Sequence, residues 1–294
     1  MVVTASAQLI VRPPQYVEET TEGTTPTASP SFTICGVPKS LSFKINGNFF
    51  DVSQLGDEDL VTQAQGVQEY ESTLVFTLVN STFLKYGVND ANYGTPAGTI
   101  SQSLSILFSY YMNGTENYVI LKGSRVKDCS VTGEIGKEIE VTFNMVHTSI
   151  STPNTSHGLT TPTLVSTTSG SVWDWISGGA DPVSWNSAAQ NCRKITVNIN
   201  RNTKSDHTLG NLDPHSSQPH GRRITGSFTV LHTATTNEAD FKAGTARTLA
   251  WVLKSATSTL TLSNVKLRSF STEHVDEDTN IEDYEFGCLT GTVS

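Results

Sequence analysis

The sequence predicts a mainly β protein made of two tandem antiparallel β domains, each with one short helix. Three observations carry this: a composition rich in Thr, Ser, Asn and Gly, segments that alternate apolar and polar residues, and a recurrence of those segments in the second half of the chain. β-branched and turn-forming residues favour strands and tight connections over helices. Alternation with period two marks a strand with one buried face. With 294 residues, 36% of them hydrophobic, the chain is long enough for two ordinary cores.

Residues 1–34, which include TTEGTTPTASPS, read as an arm that composition alone would leave disordered. The first domain, residues 35–150, opens with KSLSFKIN, in which Leu41, Phe43 and Ile45 share one face. A polar excursion over 47–68 follows, and then ESTLVFTLVN, with Leu74, Phe76 and Leu78 on one face. TFLKYGVNDANYG leaves room for a short helix. In SLSILFSYYMNGTENYVILKGSRVKDCS, Asn113-Gly114 sits between two apolar runs, the strongest local signal for a hairpin with a type I′ turn. IEVTFNMV, with Ile139, Val141, Phe143 and Met145, closes the domain.

The second domain, residues 191–294, repeats this order. RKITVNIN lies 154 residues after KSLSFKIN, a polar excursion over 201–222 follows it, and TGSFTVLHTA keeps the same offset through Phe228 and Val230. Thr235 and Glu238 have the spacing of a capping box, Phe241 offers an apolar contact and Gly244 can stop a helix there. TLAWVLKSATSTLTLSNVKLRSFS matches the first hairpin at an offset of about 141, and IEDYEFGCLTGTV matches IEVTFNMV. Between the domains, residues 151–190 form a Ser/Thr/Gly linker that contains Trp173, Trp175 and Trp185. Exposed indole is costly, so this segment is expected to dock on its own domain or on a neighbouring subunit.

A net charge of −9 and the lack of a long Lys/Arg run argue against tight, sequence-independent nucleic-acid binding. The N-terminus does not read as a secretory signal, and no apolar run is long enough to span a membrane. Cys35, Cys129, Cys192 and Cys288 fit no zinc spacing and are expected as buried thiols, with Cys35–Cys129 and Cys192–Cys288 disulfides left open. His207, Asp213, His215 and His220 fall close together but fit no known metal-ligand spacing. The acidic run Glu273, Asp276, Glu277, Asp278, Glu282, Asp283 lacks the central glycine of a calcium loop and reads as a solvated connection. Neither a nucleophile elbow nor a phosphate loop is present, so no enzyme, cofactor or metal is expected.

The order strand, long loop, strand, crossover helix and hairpin ending in TLTLSNVKLRSFS resembles the tail-tube domain of tailed bacteriophages and archaeal tailed viruses. FKAGTARTLAWVLKSATSTLTLSNVKLRSFS is the most similar stretch, and the repeat extends the likeness over most of the chain. The resemblance implies β-sandwich or half-barrel domains set six to a ring, with inner sheets joined into a barrel around a channel. Two such domains in one chain imply trimeric, pseudo-hexameric rings. It further implies a virion tail component assembled in the host cytoplasm, with self, tape measure, tail tip and terminator as partners and viral DNA only in passage.

Rings of this family stack through the long loop after the first strand, so both polar excursions become stacking candidates. The first carries Phe49, Phe50, Asp57, Glu58 and Asp59; the second carries Arg201, Lys204, His207, Asp213, His215, His220 and Arg222. Their opposite charge suggests complementary contacts between rings. Trp173, Trp175 and Trp185 are candidates for inter-subunit docking, and the acidic run for the channel wall. The alternative is a viral or cell-surface β-sandwich module whose loops grip a carbohydrate or receptor.

Overall fold

The computed structural model describes residues 10–53, 60–88, 103–112, 114–166, 170–231, 236–275 and 279–294. The first half runs β1 (Ile10–Glu18), β2 (Thr33–Ile34), β3 (Val37–Ser53), β4 (Leu60–Thr77), α1 (Leu84–Val88), β5 (Leu104–Met112), β6 (Thr115–Glu134) and β7 (Glu140–His147). β8 (Ser149–Ile150) ends the first half, and two short strands lie in the linker region: β9 (Val183–Trp185) and β10 (Ala188–Gln190). The second half runs β11 (Cys192–Asn200), β12 (Thr203–Asp206), β13 (Ser216–Pro219), β14 (Arg223–Leu231), α2 (Thr236–Ala243), β15 (Arg247–Lys254), β16 (Ser258–Val275), β17 (Thr279–Cys288) and β18 (Thr290–Val293). The protein is mainly β and its strand pairings are antiparallel, as the composition and alternation predict.

One sheet runs β3-β4-β7-β6-β11-β14-β17-β16. The first four strands come from the first half and the last four from the second, joined where β6 meets β11. A second layer backs each half. β6 pairs with β5 through residues up to Ser124 and with β7 from Arg125 onward, so one long strand serves both sheets. β16 does the same, pairing β15 through Val265 and β17 from Lys266. The switch needs a kink, and each strand places there a residue tolerant of positive φ: Gly123 at 60° and Asn264 at 55°.

The pairing order β3-β4-β7-β6-β5 thus has its counterpart in β11-β14-β17-β16-β15. Registers agree as well: Leu41↔Leu74 and Leu74↔Phe143 correspond to Ile195↔Phe228 and Phe228↔Tyr284. A register shift falls between Val126 and Asp128 and again between Leu267 and Ser269.

The core lies between the layers as one apolar cluster that crosses the junction, including Leu74, Phe76, Phe83, Phe143, Ile195, Val197, Phe228, Trp251, Tyr284 and Phe286. Cys35, Cys129, Cys192 and Cys288 are all free thiols, so the disulfide alternative is set aside. Burial pushes the Cys129 and Cys192 thiols up to about 12.

The helices match expectation in place and differ in length. α1 is five residues long. α2 stops where Gly244, at φ 63°, lets its N–H bond Phe241 O while Thr245 N–H reaches Asp240 O, a Schellman arrangement. Thr235, the expected N-cap, lies outside the described residues. In the first hairpin Met112 pairs with Thr115, so residues 113–114 are the whole connection; Gly114 has φ 77°, and Asn113 is outside the described residues.

Composition misleads at both polar segments. From Ile10 onward the arm is ordered: β1 adds to the β5 edge, and Glu19, buried, accepts from Ser105 Oγ at 2.5 Å, Gly123 N–H at 2.9 Å and Gly23 N–H at 2.8 Å. The linker runs beside it, bridging Ala28 to Thr160 and Ser31 to Thr163.

His147 is fully buried between Ser124 Oγ and Ser72 Oγ, each 2.8 Å from a ring nitrogen. Burial pushes its imidazole down to about 3. Between about 3 and the unfolded value near 6.5 the unfolded chain binds more protons, so stability falls as pH drops through that window and is complete above it. Urea midpoints measured against pH are expected to decline below pH 6.5 for the parent, and more shallowly for His147→Gln.

Candidate assembly interface

Beyond the sheet's body, β3 and β4 continue as a two-stranded arm. β7 covers β4 only from Tyr70 to Thr77, whereas β3 and β4 stay paired out to Ser53↔Leu60. The polar excursion over 47–68 is therefore mostly paired strand instead of loop. Hydrophobic alternation reports a face covered by the core, and this paired segment, which runs past β7, carries no such signal. Phe49 is 61% exposed on this arm. The side chain of Phe50 and residues Asp57, Glu58 and Asp59 at the tip lie outside the described residues.

The second excursion behaves differently. β12 and β13 form a small hairpin that lies on the first half, with Thr203 Oγ1 donating to Val126 O at 2.9 Å and Arg201 N–H to Lys127 O at 2.8 Å. Its turn reaches the root of the arm: Gln68 N–H donates to Leu212 O at 2.7 Å and Tyr70 OH to Asp213 Oδ1 at 2.5 Å. Arg201 is buried and its Nε donates to Gly87 O; Arg222 Nη1 donates to Val88 O. Both guanidinium groups thus cap the last carbonyls of α1. Arg201, Arg222 and Asp213, all ring-stacking candidates, have hydrogen-bond partners within their own chain. Lys204, His215 and His220 are exposed, and His207 is partly buried.

The tryptophans resolve the two docking alternatives in favour of their own chain. All three are buried. Trp173 N–H donates to Leu78 O at 2.7 Å, and Trp185 Nε1–H to Asp240 Oδ2 at 2.8 Å. Arg247 binds both oxygens of the same carboxylate and holds it below its usual range. Trp175 opens a 3₁₀ turn, Trp175–Gly178, whose N-cap Asp174 and Ser177 bond reciprocally. The three rings thus tie the linker to the core of their own chain.

The acidic run is also divided. Glu282 is buried and accepts from Tyr284 OH at 2.8 Å, and Asp283 accepts from Thr229 Oγ1 at 2.5 Å on strand β17. Glu273 is exposed near the end of β16. Asp276, Glu277 and Asp278 lie outside the described residues. Among the described residues no group of three or more His, Cys, Asp or Glu side chains could hold a metal ion, and no helix is long and apolar enough to cross a membrane.

Composition alone gave no hint of the two ends of the eight-stranded sheet. Among the described residues β3 pairs only with β4, and β16 beyond Val265 pairs only with β17. Such edges invite another strand. The β3 edge is also apolar, with Phe43 42% and Ile45 53% exposed. The face of this sheet away from the core is mostly hydroxyl and amide: Thr73, Ser130, Thr132, Thr142, Asn144, Thr196, Asn198 and Thr225.

An eight-stranded sheet whose end strands have no further partner among the described residues, with a two-stranded extension and a polar face, is the architecture of a structural β subunit. A family model described as phage tail tube protein matches residues 15–287, and the chain belongs to that family. It is a structural tail-tube protein, a component of the virion tail. No curated protein matches it.

Proposed function

We propose that three copies of this chain close into a ring with six equivalent β units, and that stacked rings form the channel through which the viral genome leaves. The observation that carries this is the double occurrence of one pairing order with one register, each copy kinked at the same place, at Gly123 and Asn264. A chain that already supplies two neighbouring units needs two further copies to fill six positions. The boundaries 35–150 and 191–294 then delimit the two tube units, with the arm and linker packed around them.

The hydroxyl- and amide-rich sheet face suits the channel wall. Two of the cations near it stand beside carboxylates, Lys127 with Glu71 at 3.0 Å and Lys194 with Glu134 at 4.0 Å, which weakens their hold on passing phosphates, while Arg223 and Arg268 also line this face. Stacking falls to the β3–β4 arm. A lone two-stranded ribbon is marginal in water, so an arm of this length is best served by a partner surface in the next ring. With Arg201 and Arg222 engaged internally, Lys204, His215 and His220 are the remaining basic candidates opposite the acidic tip.

Negative-stain microscopy of the purified protein is expected to show hollow filaments with threefold-related subunits. Discrete particles at all concentrations would overturn the reading in favour of a binding module. Reversing Asp57, Glu58 and Asp59 to Lys together is expected to shorten the filaments severalfold while single rings persist in sizing chromatography; filaments of parental length would remove those residues from the stacking contact. Tape-measure, tip and terminator proteins would meet the two ends of the filament.

A further inference from the structure

We infer that the internal joint between β6 and β11 is the template for the joint between chains, and that it fixes the register: residues 40–46 of β3 in one copy pair antiparallel with residues 269–275 of β16 in the next. This rests on the ring reading above and adds the contact that closes it.

In the internal joint, Lys194↔Glu134 through Asn200↔Asp128 pair without interruption. The repeat maps β11 onto β3 and β6 onto β16, with offsets fixed by the matching registers of the two halves. Carrying the joint across places Ser42 opposite Glu273 and Ile45 opposite Phe270, on the two strand edges that have no further partner among the described residues. Side-chain chemistry agrees on both faces.

On the core face, Val197 and Ile199 are 0% and 1% exposed, because the first half covers them. Their equivalents Phe43 and Ile45 are 42% and 53% exposed, because among the described residues no strand pairs with β3 on that side, although the Phe43 ring lies 6.1 Å from that of Phe108. The opposing edge offers Phe270, half-buried and stacked 5.1 Å from Tyr284, where the internal joint has Cys129. Ile45 therefore meets an aromatic surface at the point where Ile199 meets a thiol. Across the polar face, Thr132 Oγ1 lies 3.4 Å from Thr196 Oγ1. Their equivalents are Glu273 and Ser42, with Lys44 on the diagonal from Glu273, a favourable cross-strand arrangement.

The test is disulfide trapping in the full-length chain. Ser42→Cys with Glu273→Cys, and independently Lys44→Cys with Ser271→Cys, place cysteines opposite each other in the inferred register; Ser42→Cys with Ser269→Cys places them too far apart to bridge. Mild oxidation of assembled protein, with the parent chain as control for its own four thiols, is expected to give a reductant-sensitive ladder ending at three chains for the first two pairs. At least tenfold less is expected for the third. Trapping by the Ser42/Ser269 pair instead would overturn the register while leaving the ring. Tubes visible by microscopy with no trapping in any pair would overturn the edge contact while leaving the tube. A parent chain that forms no tubes would overturn the ring reading, and this joint with it.

Discussion

A chain carrying Phe43→Lys and Ile45→Lys is expected to fold and to form no tubes. The two side chains are 42% and 53% exposed in the single chain, with the Phe43 ring 6.1 Å from that of Phe108, so their replacement should cost about 1 kcal/mol, well short of unfolding the chain. In an assembled ring each lysine would bring an ammonium group under the neighbouring sheet, and a buried, unpaired charge costs several kcal/mol. Repeated at every joint, that cost defeats closure. The equivalent pair in the second half gives the opposite result: Val197→Lys with Ile199→Lys places the same charges in a core that the chain has already built, so the protein itself fails to fold. Circular dichroism melts and microscopy of both variants separate the outcomes. Tubes of normal yield from the Phe43/Ile45 variant would show that this edge is not a joint.

Much of the β framework was legible because alternation survives wherever one sheet face is covered. KSLSFKIN and RKITVNIN carry the same signal although only the second is buried by its own chain. If the proposed ring forms, sequence periodicity reports the face that is covered in the assembly, and the exposed Phe43 and Ile45 are where chain and assembly part. The parts that resisted reading are held by contacts between residues far apart in sequence. β1 contains Pro13 and Pro14, which weaken any strand signal, and what orders the arm is Glu19 reaching Ser105 and Gly123.

Arg201 and Arg222 read as surface cations because nothing local shows that α1 ends beside them. The linker tryptophans announced that they would be buried without saying where; only the pairing of Trp173 with Leu78 and Ile139, and of Trp185 with Asp240, settles that. For the candidate interface the sequence could nominate acidic and aromatic residues, but not that one excursion would extend as paired strands and the other lie on the first half.

The joint inside the chain can be tested at the point where its packing is tightest. β6 runs under Trp251 at Gly133, and a Cβ built there would lie 2.4 Å from Trp251 Cζ2 and 3.3 Å from Trp175 Cε3. The flat backbone of glycine is what lets the second-half indole and the linker indole, 6.3 Å apart, meet over a first-half strand. Gly133→Ala is therefore expected to destabilise by about 1–3 kcal/mol through overpacking. Trp251→Ala removes a side chain that is 1% exposed and should cost about 3–5 kcal/mol. The two losses should not add: with the indole gone the new methyl group has room, so the double variant is expected to be at least about 1 kcal/mol more stable than the sum of the single losses implies. Urea unfolding of all four proteins measures this coupling. Strict additivity would mean that Gly133 and Trp251 do not share the joint, and that the two halves are held by strand pairing alone.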